Sequence, residues 1–100
     1  MRWEWDEKKS LSNLQKHHIS FELAARILEE DPNALSQLDD RFEEERWQTI
    51  GSLVQRNSVT IFVVHTLPQP DQGELSVGRI ISARLATAKE RRWYVQGEID

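Results

Sequence analysis

The run Val59-Thr60-Ile61-Phe62-Val63-Val64 constrains the fold of this chain more than any other stretch. Every residue in it is β-branched or aromatic, and these side chains are enriched in β-strands. The run does not alternate between apolar and polar residues, as a half-exposed strand does. A nearly continuous run of this kind is typical of a strand that is covered on both faces. The sequence therefore predicts a central strand at 59–64.

Three further stretches have the composition of strands. Residues 34–38 predict a short strand, residues 44–54 a longer one, and residues 75–84 a third that carries several branched apolar side chains. The segment 55–58, Gln-Arg-Asn-Ser, has the chemistry of a turn, and 68–73 predicts a polar loop. We expect these strands to pair antiparallel.

Two helices are predicted before the strands. Asp6 is the expected N-cap of a helix at 7–17, in which Leu11 and Leu14 share one face. Ser20 is the expected N-cap of a second helix. The apolar residues of this second helix fall at i, i+3, i+4 and i+7, which makes it amphipathic: Phe21, Ala24, Ala25 and Leu28.

A last helix is predicted at about 88–96. Thr87 and Glu90 have the spacing of a capping box, and Gly97 is the expected C-terminal stop. Two N-terminal helices, a small antiparallel sheet of three to four strands and a C-terminal helix indicate the α+β class, with the helices packed on one face of the sheet. A length of 100 residues fits one domain that spans 1–100.

Composition and charge exclude several classes of protein. The chain has no cysteine, which excludes a disulfide framework, and its N-terminus does not have the composition of a signal peptide. We therefore expect a cytoplasmic protein. The net charge is −4, but residues 75–95 hold five basic residues and one acidic residue, which gives a net charge of +4. A local basic patch on an acidic protein can still hold phosphate because distant exposed charges are screened.

No cofactor or metal is predicted. The adjacent His17 and His18 project in different directions from a helix, and His65 has no carboxylate at a diagnostic spacing. The chain also lacks a glycine-rich phosphate loop, so we expect no nucleotide cofactor.

Three stretches of the sequence resemble one family of small bacterial proteins, the BrnT toxins. The stretches are Trp5-Asp6-Glu7-Lys8 with Asn13-Leu14-Gln15-Lys16-His17 and Ile19-Ser20-Phe21-Glu22; Glu44-Glu45-Arg46-Trp47-Gln48-Thr49-Ile50-Gly51; and Arg79-Ile80-Ile81-Ser82-Ala83-Arg84 with Ala86-Thr87, Glu90-Arg91-Arg92 and Tyr94. Together with the strand at 63–66, they cover nearly the whole chain in the family's order. One stretch would be a weak signal, but all of them in order are specific.

The resemblance implies both a fold and a function. Proteins of this family resemble the RelE-type ribonuclease toxins in fold, act on RNA and are neutralised by a partner antitoxin, BrnA. We therefore expect the endoribonuclease toxin of a type II toxin–antitoxin pair, which cleaves RNA without a metal and inhibits translation. Its expected partners are RNA, a cognate BrnA-like antitoxin in a hetero-oligomer and, only through that antitoxin, operator DNA.

One position departs from the family pattern. The family usually has glycine after Lys-His, where this chain has His18. Glycine would suit a left-handed helix cap there, and histidine tolerates that conformation better than most residues. The turn is therefore either strained by up to about 1 kcal/mol or built differently.

Cleavage of RNA without a metal uses the 2′-hydroxyl group as the nucleophile on the adjacent phosphorus. A base must take the hydroxyl proton, cations must stabilise the charge on the phosphoryl oxygens, and an acid must protonate the leaving 5′-oxygen. Histidine suits both proton roles near neutral pH. Arginine suits the charge role because its planar fork meets two phosphate oxygens at once.

Arg79 and Arg84 are the best candidates for the charge role. In a regular strand their side chains lie on opposite faces, so at most one of them points at a given site from within the strand. Arg84 ends the strand and can turn out of it, so we expect it to matter more to catalysis than to folding. The alternative for each is an ion pair with an acidic residue at 40, 44 or 45. Arg46 follows an acidic run and suits a salt bridge as well as a phosphate.

His65 and His17 are the candidates for proton transfer. His65 ends the central strand, where a side chain can reach a cleft, and its alternative role is that of a hydrogen-bonded packing residue. His17 ends the first helix, where the helix dipole favours the cation, and its alternative role is that of a cap.

Four more residues are candidates for contact with RNA: Lys16, Lys89, Arg92 and Tyr94. Tyr94 could stack on a base, although aromatic residues at helical spacing are more often part of a core. The lysines and Arg92 could equally be solvated helix charges.

A second function stays open beside the ribonuclease. The chain could be a module that binds the antitoxin and regulates the operon with little or no catalytic activity. Arg79, Arg84 and His65 in one open cleft would favour the enzyme. Burial and pairing of each of them would favour the binding module.

Overall fold

The computed structural model describes residues 2–41, 43, 45–53, 59–66, 69–70 and 76–100. The elements in chain order are β1 (Arg2–Glu4), α1 (Glu7–His17), α2 (Phe21–Glu30), β2 (Leu35–Asp39), β3 (Arg46–Ser52), β4 (Thr60–His65), β5 (Gln69–Pro70), β6 (Ser76–Leu85) and α3 (Ala88–Gln96). The predicted turn at 55–58 lies outside the described residues, as does the predicted loop at 68–73 apart from β5. None of the three described helices has the length and apolar character needed to cross a membrane.

The sheet is larger than predicted and is mixed rather than antiparallel. Its strand order is β1-β6-β4-β3-β2, and β5 also pairs with β6. The prediction of the α+β class is confirmed, but the described part of the chain already holds six strands, and β1 runs parallel to β6. β1 was not predicted, because three residues are too few to show a period and β6, with which β1 pairs, lies more than seventy positions away.

The helix boundaries agree with the capping residues. The Asp6 carboxylate accepts hydrogen bonds from the amides of Lys8 and Lys9, and the Ser20 hydroxyl accepts one from the amide of Leu23. At the other end of α1, His18 has a left-handed conformation with φ 60° and ψ 26°. This residue therefore adopts the conformation that would suit glycine.

The predicted capping box of α3 is confirmed. The Thr87 hydroxyl accepts from the amide of Glu90, while the Glu90 carboxylate accepts from the amide of Thr87. Gly97 ends the helix with a φ of 83°. The sequence predicted both ends of α3 because each capping residue binds backbone groups within one turn of the helix end.

The main core lies between one face of the sheet and α2, with Ile19 just before that helix. Its buried members are Ile19, Phe21, Ala24, Ile27, Ile61, Val63, Ile80 and Ala83. Phe21, Ala24 and Ile27 come from the apolar face of α2, as the spacing predicted. Ile61 and Val63 are alternate residues of β4, so this core uses one face of the central strand.

α3 covers part of the opposite face of the sheet. Phe62 points away from the main core and pairs in register with Arg84, whose guanidinium binds Glu90 of α3. The prediction that the helices pack on one face was therefore wrong. A central strand that is apolar on both sides needs a cover on both sides, and α3 supplies the second one.

α1 attaches to the sheet through a buried amide rather than through its leucines. Leu11 and Leu14 share a face as predicted, but they are 62% and 43% exposed, whereas Asn13 is buried. The Asn13 side chain donates to the carbonyl of Ala83 at 2.7 Å and accepts from its amide at 3.2 Å. The side chain thus binds β6 at a position where the strands of the described residues pair with β6 on one side only.

Candidate functional site

A β-bulge in β6 sets the direction of the side chains in the basic segment. Val64 pairs with Ser82, but the next residue of β4, His65, pairs with Ile80. β6 therefore holds one extra residue, Ile81, at this point, and two residues oppose one as in a bulge. An extra residue reverses the alternation of all residues that lie beyond it.

The bulge brings Arg79 and Arg84 to the same face of the sheet. Arg84 shares its face with Phe62, its partner in register, and Arg79 lies next to Ile80, which is buried on the α1 and α2 side. The side chain of Arg79 must therefore point away from α1 and α2, like that of Arg84. The prediction that these arginines lie on opposite faces was wrong, because it assumed a regular strand.

Arg46 lies on the same face. Its neighbour Trp47 pairs with His65, which belongs to the α1 and α2 side, so Arg46 points the other way. β3 and β6 are separated by β4 alone, which puts Arg46 and Arg79 about 10 Å apart across two strand spacings. We call this side of the sheet the arginine face, defined by Arg46, Arg79 and Arg84.

The three arginines differ in exposure. The side of β6 that carries Arg79 is open, and this residue is exposed, whereas Arg46 and Arg84 are half-buried. Glu4 of β1 is paired in register with Arg79 and is also exposed. This end of the arginine face therefore presents a cation and a carboxylate to solvent on adjacent strands.

A polar network borders the arginine face near Arg46. The Gln37 side chain donates to Gln48 at 3.0 Å, and Gln48 donates to the Asp39 carboxylate at 2.9 Å. Asp39 pairs in register with Arg46 and forms an ion pair with Arg41 at 2.7 Å. The hydrogen bond from Arg41 holds the pKa of Asp39 well below its ordinary value, so this carboxylate stays ionised. These side chains were not singled out by the sequence, because they lie on different strands.

The Arg84 guanidinium forms an ion pair with Glu90, an acidic residue that was not among its expected partners. Its two terminal nitrogens donate to the two carboxylate oxygens of Glu90 at 2.8 and 3.0 Å. The guanidinium carbon lies 4.0 Å from the centre of the Phe62 ring. Arg84 therefore forms an ion pair, which was the alternative to phosphate binding. Its partner is Glu90 and not one of the acidic residues expected at 40, 44 or 45. Position 44 lies outside the described residues.

His65 does not lie on the arginine face. It is 3% exposed on the α1 and α2 side, where its ring meets that of Trp3 edge-on at 5.3 Å between centroids. Its Nε2 lies 2.6 Å from the Thr49 hydroxyl, and its Nδ1 lies 3.0 Å from the carbonyl of Thr66. Burial lowers the pKa of His65, and the hydrogen bond to Thr66 offsets this only in part.

The candidates at the end of α1 lie on a helix and not on the strands that carry the arginine face. His17 and Lys16 are both exposed in the last turn of α1. α1 contacts β6, where Asn13 binds the backbone of Ala83.

The candidates on α3 fall into two groups. Lys89 and Arg92 are exposed, and Lys89 lies 5.2 Å from the centre of the Trp93 ring. Tyr94 is half-buried, and its hydroxyl donates to the Asp31 carboxylate at 2.8 Å. Burial and this hydrogen bond raise the pKa of Tyr94 to about 12. Tyr94 therefore joins α3 to the end of α2.

A groove of about 680 Å³ runs along the outer side of α3. It is lined by Thr60, Ala88, Arg91, Arg92, Val95 and Gln96. The helix residues recur at i, i+3, i+4, i+7 and i+8, so they form one face of α3. This face combines two arginines with Val95, which is 86% exposed.

The fold and the arginine face together define a small α+β protein whose mixed sheet carries Arg46, Arg79 and Arg84 on one side. A family model described as the ribonuclease toxin, BrnT, of type II toxin–antitoxin systems matches residues 5–90. Because this match covers most of the chain, the protein belongs to the BrnT family. The resemblance seen in the sequence is thereby confirmed, and membership of a type II toxin family implies an antitoxin partner. A comparison with curated proteins found no match.

Proposed function

We propose that this protein is an endoribonuclease that cleaves cytoplasmic RNA on the arginine face and thereby inhibits translation. The observation that carries the proposal is the bulge in β6. Without it, Arg79 and Arg84 would point to opposite sides of the sheet; with it, both join Arg46 on one side. Two of these guanidinium groups, those of Arg79 and Arg46, can then meet successive phosphates of a single strand.

Arg79 is the proposed ligand of the scissile phosphate. Its exposure lets the guanidinium reach a phosphate without first breaking up a buried core. Arg46 is the proposed ligand of a neighbouring phosphate, about two strand spacings away. Arg84 is proposed to stabilise the start of α3, because Glu90 already occupies both arms of its fork.

Glu4 is the proposed acceptor of the 2′-hydroxyl proton, and solvent water is the proposed proton donor to the leaving 5′-oxygen. It is exposed and pairs with Arg79 in register, so its carboxylate and the guanidinium can approach the same nucleotide. His65 is buried on the other face of the sheet, and a carboxylate can serve as a general base when it is held at the proton it abstracts. Lys89 and Arg92 on α3 are proposed to hold more distant phosphates.

We propose that cleavage needs no metal ion, because Arg79 and Arg46 can themselves stabilise the charge that develops on the phosphoryl oxygens. The measurement is RNA cleavage by the purified protein in excess chelator. Equal rates with and without chelator support the proposal. A loss that added Mg²⁺ or Mn²⁺ restores would contradict it.

The central test compares Arg79→Ala with Arg26→Ala. Loss of one preorganised donor to a transition-state oxyanion commonly costs about 100- to 1,000-fold in rate, so we expect that loss for Arg79→Ala. Arg79→Lys should recover part of it, since lysine lacks the bidentate fork. Arg26 lies on α2 in an exposed ion pair with Glu30, and its removal should leave the cleavage rate unchanged. Equal rates for Arg79→Ala and the parent would show that the site lies elsewhere.

One observation favours the second candidate function, a binding module with little catalysis. His65 is buried and hydrogen-bonded, and Arg84 is engaged by Glu90, which is the arrangement expected for structural roles. In this case the chain would bind a BrnA-like antitoxin and reach operator DNA only through it. Expression of the chain alone separates the two functions, because only the ribonuclease arrests growth and degrades RNA.

A further inference from the structure

We infer that His65 is a positioning residue that holds Arg79 in place through Thr66 and does not itself transfer protons. The inference rests on the proposed role of Arg79 in binding the scissile phosphate. It assigns the buried histidine a function that requires no contact with RNA.

Thr66 joins His65 to Arg79 by three hydrogen bonds. The imidazole Nδ1 donates to the Thr66 carbonyl at 3.0 Å. The Thr66 amide donates to the carbonyl of Arg79 at 2.9 Å, and the Arg79 amide donates to the Thr66 hydroxyl at 2.9 Å. Thr66 therefore holds both backbone groups of Arg79, and His65 holds Thr66.

The tautomer of His65 follows from its partners. The Thr66 carbonyl can only accept, so Nδ1 carries a proton. The neutral ring then has its lone pair on Nε2, which accepts from the Thr49 hydroxyl at 2.6 Å. The Thr49 oxygen in turn lies 2.7 Å from the Ser36 hydroxyl, which can donate to it. Both ring nitrogens are thus used within the protein.

The position of this link coincides with the bulge. The register shifts between Val64 and His65, and this shift decides which way Arg79 points. Thr66 is the first residue beyond β4, where regular pairing with β6 has ended. The hydrogen bond from His65 to the Thr66 carbonyl therefore fixes the backbone at the point where the pairing of β4 with β6 ends.

The inference is tested first by replacing His65 with two residues that separate geometry from proton transfer. In His65→Asn, the Nδ2 amide stands where the imidazole Nδ1 stood and can still donate to Thr66, but it cannot act as an acid or a base. In His65→Phe, the ring shape remains but both hydrogen bonds are lost. We expect the RNA cleavage rate of His65→Asn to lie within a fewfold of the parent rate. The rate of His65→Phe should fall about 100-fold, which is the effect typical of a misplaced catalytic group. Equal losses in the two variants would overturn the inference in favour of proton transfer.

A double-mutant cycle with Arg79→Ala tests the route from His65 to the site. If His65 acts only through Arg79, His65→Phe causes no further loss in the Arg79→Ala background. If the double variant instead shows the product of the two single losses in cleavage rate, the inference is overturned, while the role of Arg79 stays intact. An Arg79→Ala protein as active as the parent would instead refute the proposed function, and the inference with it.

Hydrogen exchange gives a readout that does not depend on catalysis. The Arg79 amide should exchange about tenfold faster in His65→Phe, as expected when one hydrogen bond is weakened, and at the parent rate in His65→Asn. Ile27→Val removes a core methyl group far from this link and serves as the control for lower stability. Equal acceleration of the Arg79 amide in Ile27→Val and His65→Phe would overturn the inference, because it would show a general loss of stability.

Discussion

The Arg84 guanidinium and the Glu90 carboxylate form a two-pronged ion pair, with both nitrogen–oxygen distances at or below 3.0 Å. The same carboxylate caps α3 by accepting from the amide of Thr87 at 2.8 Å. Burial alone would raise the pKa of Glu90, but the hydrogen bonds from Arg84 and Thr87 outweigh it and hold the pKa below its ordinary value. One carboxylate thus joins the end of β6 to the start of α3.

Replacement of Arg84 by alanine should therefore lower stability. The variant leaves a largely buried carboxylate with fewer partners, and we expect a loss of about 1–2 kcal/mol in the free energy of unfolding. Arg84→Lys should recover part of it, because lysine keeps the charge but not the fork. Chemical denaturation measures both variants, with Arg26→Ala as the exposed control. An Arg84→Ala protein that is as stable as the parent but inactive would restore Arg84 to the catalytic role that the sequence suggested.

His65 should make stability depend on pH just below neutrality. Burial lowers its pKa from the usual 6.5, so below that pH the unfolded chain binds a proton that the native protein excludes. The contribution to stability is therefore present above the unfolded pKa and is lost as the pH falls toward the folded pKa. The free energy of unfolding should decrease from pH 7 to about 5.5 in the parent and less in His65→Asn. Identical pH profiles for the two proteins would contradict the expectation.

Asn13 should be essential to the attachment of α1. Its amide holds the carbonyl and the amide of Ala83 and the carbonyl of Ile19, all in a buried setting. Asn13→Ala leaves several buried polar groups without this partner, and we expect a loss of about 2–4 kcal/mol. Ser12→Ala, at the adjacent exposed position, should change stability by less than about 0.5 kcal/mol. Thermal melting of the two variants decides the matter, and similar melting temperatures would refute the role of Asn13.

Association with the cognate antitoxin should slow as salt is added. Arg79, Lys89, Arg91 and Arg92 are all exposed, so an acidic partner can be steered toward them. Raising the ionic strength shortens the Debye length from about 30 Å at 0.01 M to about 3 Å at 1 M and so removes this steering. Stopped-flow mixing measures the association rate. A rate that does not change with salt would show that these charges take no part in the encounter.

The antitoxin experiment has a control on another helix. Lys9 is exposed like Arg92 but lies on α1 and not on α3. Arg92→Ala should reduce the salt dependence of the association rate, whereas Lys9→Ala should not. The reverse result would move the antitoxin interface to α1.

The sequence by itself determined the elements whose signals are local. Asp6, Ser20 and the Thr87–Glu90 box each satisfy amides within the next turn, so they fixed where the helices begin. The β-branched and aromatic composition of 60–64 indicated the central strand, because such side chains are enriched in strands. The succession of motifs along the chain was enough to identify the family.

Only the tertiary structure decided what depends on pairing between distant segments. The bulge at Ile81 is a mismatch in length between β6 and β4, and it reversed the face of Arg79. The single strand at Arg2–Glu4 exists because β6 offers it an edge. His65 ends its strand as predicted, but the register with Trp47 and Ile80 turned its ring into the core. A strand's own sequence shows that its side chains alternate between two faces. Which set of side chains faces the core depends on the register with neighbouring strands, and the local sequence does not contain those strands.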